Sequence, residues 1–317
     1  MPGEFDIIQR YFAPLAGPDG LALKDDASVS AVPSGYDLVV TKDVLNEGVH
    51  FRAEDPIDLV AFKAIAVSVS DCCSKGATPK HYWVGLSLPS EPTNQWLQNF
   101  CHGLDVAQQE FGCCLSGGDT TKTLGPLAIS VTVAGFVPTG QMIKRSGAKV
   151  RDSVYVTGEL GNAALGLEAL LAGVDCPSDL QKAYQAPVPP CAFGQQLHGI
   201  ASASADISDG LGADARHIAD ASGVLIELFQ PKLPIGTNAR AIINESPDLA
   251  SKIWSGGDDY QILFTASESA EPEIQQIAQE NKVLVTKIGV IKQGTGVQLL
   301  DHNQEIVQVT SGGYEHF

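Results

Sequence analysis

The segment DPIDLVAFKAIAVSVSDCCSKG, residues 55–76, constrains the fold more than any other stretch. Asp55-Pro56 is a cap followed by a first-turn proline, the apolar run then continues for several turns, Gly76 ends it and Pro79 forbids its continuation. A helix of this kind has to lie on a sheet. A second helix follows Thr93, where Trp96, Phe100, Leu104, Ala107 and Phe111 recur every three or four residues and Gly112 closes the pattern. Alternation or short apolar runs predict strands at 37–40, 129–137, 153–157, 224–228, 261–265 and 283–291. Strands separated by amphipathic helices make the fold class α/β (α+β).

At 317 residues the chain exceeds one typical core, so two domains are expected. The break falls in PTGQMIKRSGAKVRD, a polar stretch with two glycines, a proline and four of the few basic residues. This predicts an amino-terminal domain over 1–140, a linker over 141–152 and a carboxyl-terminal domain over 153–317. The basic cluster is either a solvated linker or, through Arg145, a phosphate contact in an otherwise acidic protein.

Hydrophobic residues make up 44% of the chain and charged ones 18%, the composition of a folded globular protein. With 37 acidic against 20 basic residues the formal charge is -17, which argues against nucleic acid or an anionic membrane as partner. An anionic ligand would therefore need metal ions between it and the protein. The start MPGEFDIIQRYFAPLAG lacks the pattern of a signal peptide, and no apolar run is long enough to span a bilayer. Seven cysteines, with Cys72-Cys73 and Cys113-Cys114 adjacent and no zinc-type spacing, fit buried free thiols in a reducing cytoplasm.

The carboxylates form the chemical pattern. Asp25 and Asp26 stand in KDDASV, Asp43 follows DLVVTK, Asp119 follows CCLSGG, and Asp206 and Asp209 stand in ADISDGL; each is expected at the end of a strand or helix, the edge at which α/β folds bind ligands. Asp71 lies inside the long helix. Singly these are caps and turns; together, without a matching set of histidines or CxxC pairs, they suggest hard oxygen ligation, magnesium with bound phosphates. SGGD occurs twice, at 116–119 and 255–258, and in each copy the double glycine predicts a loop where backbone N–H groups approach a ligand. TGELGNAALG, 157–166, is weak evidence for an anion site at a helix start. There is no P-loop, nucleophile elbow or HExxH motif. His50 in NEGVHF is by itself more readily a structural histidine than a catalyst.

The ordered set KDDA, TKDVLNEGVHF, VSDCCSKGA, GGDTT, GFVPTG, RSGAK, YVTGELG, DISDGL, GGDDYQILFT and GGYEHF resembles the thiamine-monophosphate kinase family, of the superfamily that includes aminoimidazole ribonucleotide synthetase and selenophosphate synthetase. The likeness runs from GEFDII to the last residue. It implies an amino-terminal sheet-plus-helices domain that pairs with a second subunit in a homodimer, a carboxyl-terminal α/β domain, and magnesium ions bridging ATP and thiamine monophosphate. Carried over motif by motif, it implies a metal shell of Asp25, Thr41, Asp43, Asp71, Asp119, Asp206 and Asp209. Gly118, Asp119, Arg145 and Ser208 are then the ATP contacts, and His50, Asp258 and Tyr314 face the thiamine phosphate. Asp43, Asp71, Asp119 and Arg145 are the residues on which catalysis is expected to rest.

A phosphate monoester with a second pKa near 6 is already largely a dianion at neutral pH, so this acceptor needs charge cancellation rather than a general base. The chain departs from the family at Lys24, where glycine is usual, at Lys42, where a small residue is common, at Ser68 in place of asparagine and at Asp258 in place of glutamate. Strand alternation predicts that Lys42 points away from Thr41 and Asp43, into solvent. The rival readings are another ATP-using member of the superfamily, such as a selenophosphate synthetase, and a nucleotide-binding regulator without turnover.

Overall fold

The computed structural model describes residues 4–308 together with 313 and 314. The chain divides into two compact units, Met1–Cys72 with Ala77–Gly140, and Cys73–Gly76 with Gln141–Phe317.

The first unit is built on a sheet of β1 (Tyr36–Asn46), β2 (Thr78–Leu88), β3 (Cys114–Lys122) and β4 (Ala128–Pro138), in the order β1-β4-β2-β3. Its two long helices are α1 (Ile57–Ser74) and α2 (Asn94–Phe111). Both ends of α2 follow from its sequence. Thr93 accepts a bond from the Trp96 amide at 3.1 Å, and Gly112 stops the helix with φ 65°, a left-handed conformation that costs glycine nothing. Thr41, Val133 and Tyr82 form one cross-strand row, in which Thr41 bonds to Asp71 of α1 and Tyr82 to Gln108 of α2. Both helices therefore cover the same face. On the other face run Val40 beside Ala134 and His81, and Lys42 beside Thr132 and Trp83.

The second unit holds a six-stranded sheet in the order β10-β7-β9-β5-β8-β6. Its strands are β5 (Ser153–Thr157), β6 (Ala201–Asp206), β7 (Leu225–Phe229), β8 (Ile262–Ala266), β9 (Val285–Lys292) and β10 (Gly296–Leu300), all paired antiparallel except β10 with β7. Core lies on both faces. Val154 and Val156 of β5 pack into one cluster with Leu211, Ala215 and Ile218 of α5 (Leu211–Ser222), while Tyr155 packs into another with Phe193, Phe264 and Ile274. A strand buried on both faces reads as an unbroken apolar run, which is why β5 was recognisable to its last residue. Two helices, α3 (Asn162–Ala172) and α4 (Ser178–Gln185), and a short helical turn at Cys191–Gly194 lie between β5 and β6 in the chain.

Three expectations are corrected. Asp43 lies within β1 and not at its end, because the strand continues to Asn46. The first SGGD is not a loop but part of β3, paired in parallel with β2. A Cβ on Gly117 would stand 2.8 Å from the Trp83 ring and one on Gly118 2.1 Å from the Val84 carbonyl oxygen, so both glycines serve close approach of two strands. The cysteines are not all free thiols: Cys73 and Cys191 form a disulfide across a sequence separation of 118. Burial pushes the thiols of Cys72, Cys101 and Cys113 up to about 12, leaving them protonated and unreactive. Among the described residues no helix is long and apolar enough to cross a membrane.

Candidate functional site

All of the predicted site residues but His50 fall into three groups, two in the first unit and one in the second. The first joins β1 to α1. Thr41 and Asp43 point the same way from the strand; Thr41 donates its hydroxyl proton to Asp71 Oδ2, and Ser68 Oγ donates to Asp43 Oδ2 at 2.6 Å. Burial, with Asp71 adding to it, holds the Asp43 carboxyl above its usual range against the lowering effect of the Ser68 bond. Two carboxylates and a threonine hydroxyl crowded at one half-buried place suit a hard divalent cation such as magnesium, which takes oxygen ligands and cancels their repulsion. Ser68 thus serves Asp43 directly at the position where the family has asparagine. Lys42 is exposed on the opposite face, where its ammonium donates to Ser130 Oγ, as alternation predicts.

Around β3 lies the second group. Gly118 and Asp119 line a cleft of about 700 Å³ with Lys24, Asp25 and Asp26, and Phe12, Leu86 and Leu115 supply apolar wall. The Trp83 indole fixes this segment by donating to Ser28 Oγ at 2.9 Å, and His81 meets Ser30 Oγ at 2.8 Å. Gly117 pairs with Trp83 and Asp119 with Gly85, which places Asp119 on the face that carries Lys42, away from Thr41 and Asp43. The sheet therefore separates Asp119 from the Asp43–Asp71 pair. His50 joins neither group: its Nδ1 accepts from the Asn46 amide at 3.0 Å and its carbonyl from Lys63 Nζ at 3.0 Å, closing the turn after β1.

In the second unit, β6 ends at buried Asp206 and the chain turns through Ser208 and Asp209 into α5. Two segments clasp this turn. Asp258 N donates to Ser208 O and Tyr314 N to Asp209 O, each at 2.9 Å, so Ser208, Asp209, Asp258 and Tyr314 meet at one place. Asp214, which no sequence signal singled out, accepts from the amides of Ser208 and Asp209 at 3.1 Å each. Burial pushes its carboxyl up to about 8, with Asp206 and Asp209 adding to the effect and Arg145 opposing it. Arg145 is exposed, and its carbonyl accepts from Ser222 Oγ at 3.1 Å.

In the second SGGD, Ser255 ends a short helical turn and residues 256–258 are irregular, in the place where a loop was predicted. Asp258 and Tyr260 take φ values of 69° and 48°, left-handed conformations that cost energy outside glycine, and the Tyr260 hydroxyl donates to Asp258 Oδ1 at 2.9 Å. Between them the buried Asp259 accepts from the Gly161 amide at 2.7 Å. That bond bears on TGELGNAALG: the amide just before α3 is taken by the protein's own Asp259 carboxyl group.

Residues 24–137 match the family model described as AIR synthase related protein, N-terminal domain, which defines the class of the first unit. Over 302 residues the chain is 37% identical to the thiamine-monophosphate kinase of Caulobacter vibrioides, covering 93% of this chain and 86% of that protein. The crystal structure of thiamine-monophosphate kinase from Stenotrophomonas maltophilia superposes with a TM-score of 0.83 at 34% identity, covering 90% of this chain and 91% of that one. AaThiL complexed with AMPPCP and TMP superposes with a TM-score of 0.79 at 31% identity over 99% of this chain and 97% of that one. The chain belongs to the thiamine-monophosphate kinase family.

Proposed function

We propose that this protein transfers the γ-phosphoryl group of ATP to the phosphate of thiamine monophosphate, giving ADP and thiamine diphosphate. The observation that carries the reading is the Thr41–Asp43–Asp71 cluster, in a chain that matches a relative complexed with AMPPCP and TMP over nearly its whole length. The acceptor phosphate is already anionic near neutral pH, so no residue has to remove a proton from it. Attack is in line with the leaving ADP, and the obstacle is repulsion between two anions. When bound, several magnesium ions supply the charge cancellation that this approach requires.

The chain's own part is positioning. Ser68 and Thr41 orient Asp43 and Asp71 as ligands; Asp25, Asp119, Asp206 and Asp209 are proposed as further magnesium ligands, Asp119 on the opposite face of the sheet from Asp43 and so for a different ion. Gly118, Asp119, Arg145 and Ser208 are assigned to the nucleotide, and His50, Asp258 and Tyr314 to the thiamine phosphate. Tyr260 holds the Asp258 carboxylate, which is shorter by one methylene than the family's glutamate, in a fixed rotamer.

A homodimer belongs to the same proposal. Leu38, Val40 and Val44 are 51%, 57% and 46% exposed on the helix-free face of β1, an edge strand. A second copy closing on this face would cover the apolar surface and the open edge together. The test of the activity is incubation with ATP, Mg2+ and thiamine monophosphate followed by chromatography. Thiamine diphosphate and ADP in equal amounts are expected; nucleotide binding without product would select a regulator instead.

A further inference from the structure

Beside the turn that carries Ser208 and Asp209 stands a group the proposed reaction does not use in full. Asp209, Asp214 and His217 each offer a ligand atom, and these atoms lie within 4.8 Å of one another. The local fold explains the convergence. Asp214 and His217 are three residues apart on α5 and so share a face of that helix, and the turn through Gly210 lays Asp209 over its first turn. Gly210 has φ 113°, and a Cβ there would come within 2.9 Å of the Ser255 backbone, which fixes the path of the turn.

A second observation separates this trio from an ordinary acidic cluster. Asp214 is fully buried, and while its Oδ2 accepts from two amides, its Oδ1 has neither solvent nor a hydrogen-bond partner. A buried carboxylate oxygen left in that state is costly, and a bound cation is one of the few things that relieves it. The charge around it has the same sense. Asp206, Asp209 and Asp214 stand against Arg145, so three carboxylates and one guanidinium leave two negative charges when all are ionised. His217, exposed, provides a nitrogen ligand on the solvent side of the group.

We propose that Asp209, Asp214 and His217 form a binding site for a divalent first-row transition ion, Mn2+ or Zn2+. Two carboxylate oxygens and an imidazole nitrogen form a donor set that such ions accept and that Mg2+, which keeps to oxygen and water, does not favour. The site shares Asp209 with the proposed magnesium shell but adds Asp214 and His217, so it does not depend on the kinase reading. A metal here would join the turn that carries Ser208 to the first helical turn of α5.

The test is electron spin-echo spectroscopy of the full-length protein titrated with Mn2+ to saturation, with binding stoichiometry followed by calorimetry. A 14N coupling from an imidazole on Mn2+ is expected in the wild type and in Asp43→Asn, and its loss in His217→Ala together with one equivalent of Mn2+. Asp214→Asn keeps an oxygen for the two amides and should weaken this equivalent at least tenfold without changing the thermal unfolding midpoint of the metal-free protein. No 14N coupling at saturation, or a coupling that survives His217→Ala, would overturn the proposal. So would unchanged stoichiometry in His217→Ala, which would mean that the imidazole only hydrogen-bonds a carboxylate. Because the readout is binding and not turnover, its failure leaves the kinase reading untouched, and Asp43→Asn distinguishes this ion from one held by the other carboxylates.

Discussion

Ser68 of α1 donates to Asp43 of β1 at 2.6 Å, joining a helix to the sheet it covers through the residue expected to hold a metal. This bond opposes the burial that raises the Asp43 carboxyl, and so keeps the ionised, ligating form accessible. Ser68→Ala should raise the Mg2+ concentration at half-maximal rate by about tenfold, the loss of one charge-assisted hydrogen bond of about 1.4 kcal/mol. Ser68→Asn retains a donor and should stay near the wild type. A magnesium titration of the initial rate checks both; an unchanged alanine variant would show that the bond is only structural.

Asp43→Asn, Asp71→Asn and Asp119→Asn should each lower turnover by roughly two orders of magnitude or more, since a neutral amide is a poor substitute for an anionic ligand to magnesium. Circular dichroism should report an unchanged fold, because all three side chains are at least partly exposed. Normal rates of thiamine diphosphate formation in all three variants would return these residues to the role of caps and sheet polar groups.

Lys42 faces away from Asp43 and donates to Ser130 on the neighbouring strand. Lys42→Ala should therefore change neither the magnesium dependence nor the KM for ATP by more than about threefold, under roughly 1 kcal/mol. A larger change, or a new demand for magnesium, would mean that the ammonium substitutes for an ion.

Val40, 57% exposed at the middle of β1, is the residue on which to test association. Light scattering of the wild type at micromolar concentration should give twice 33.4 kDa, and Val40→Asp should give 33.4 kDa. A monomeric wild type would remove the dimer from the proposal.

The parts of this fold that were legible are those whose own sequence specifies them. Thr93 and Gly112 mark both ends of α2, and Ser153 to Thr157 reads as a strand because both its faces are buried. β3 was not legible, since Gly117 and Gly118 carry the signature of a turn and become a strand only against Trp83 and Val84, 34 positions earlier in the chain, which no local pattern connects to them. The disulfide has the same difficulty, with Cys73 and Cys191 lying on either side of a long interval without recognisable spacing. In the site, Thr41 and Asp43 were readable as one face of a strand. Asp214 was not, although the amides of Ser208 and Asp209, left open before a helix, are a demand for an acceptor early in α5 that DISDGLGAD meets with its last residue.

Asp259 gives a prediction with a definite sign. Its carboxyl is buried, and desolvation pushes it up to about 7 against the lowering effect of the Gly161 and Ala163 amides, while its ordinary value is 3.8. The folded chain thus keeps a proton that the unfolded chain has already released. A raised value of this kind contributes stability in full below the unfolded pKa and loses it as pH rises through the folded one, so the loss falls between about pH 4 and pH 7. Its upper bound is about 4 kcal/mol, from roughly 1.4 kcal/mol for each unit of pKa. Asp259→Asn keeps an acceptor for the amides at the start of α3 and has nothing to titrate. Unfolding midpoints measured by calorimetry in chelator should therefore fall less in the variant than in the wild type between pH 4 and pH 8. Parallel pH profiles for the two proteins would mean that Asp259 is ionised in the folded state throughout this range and is held as an anion by the helix amides alone.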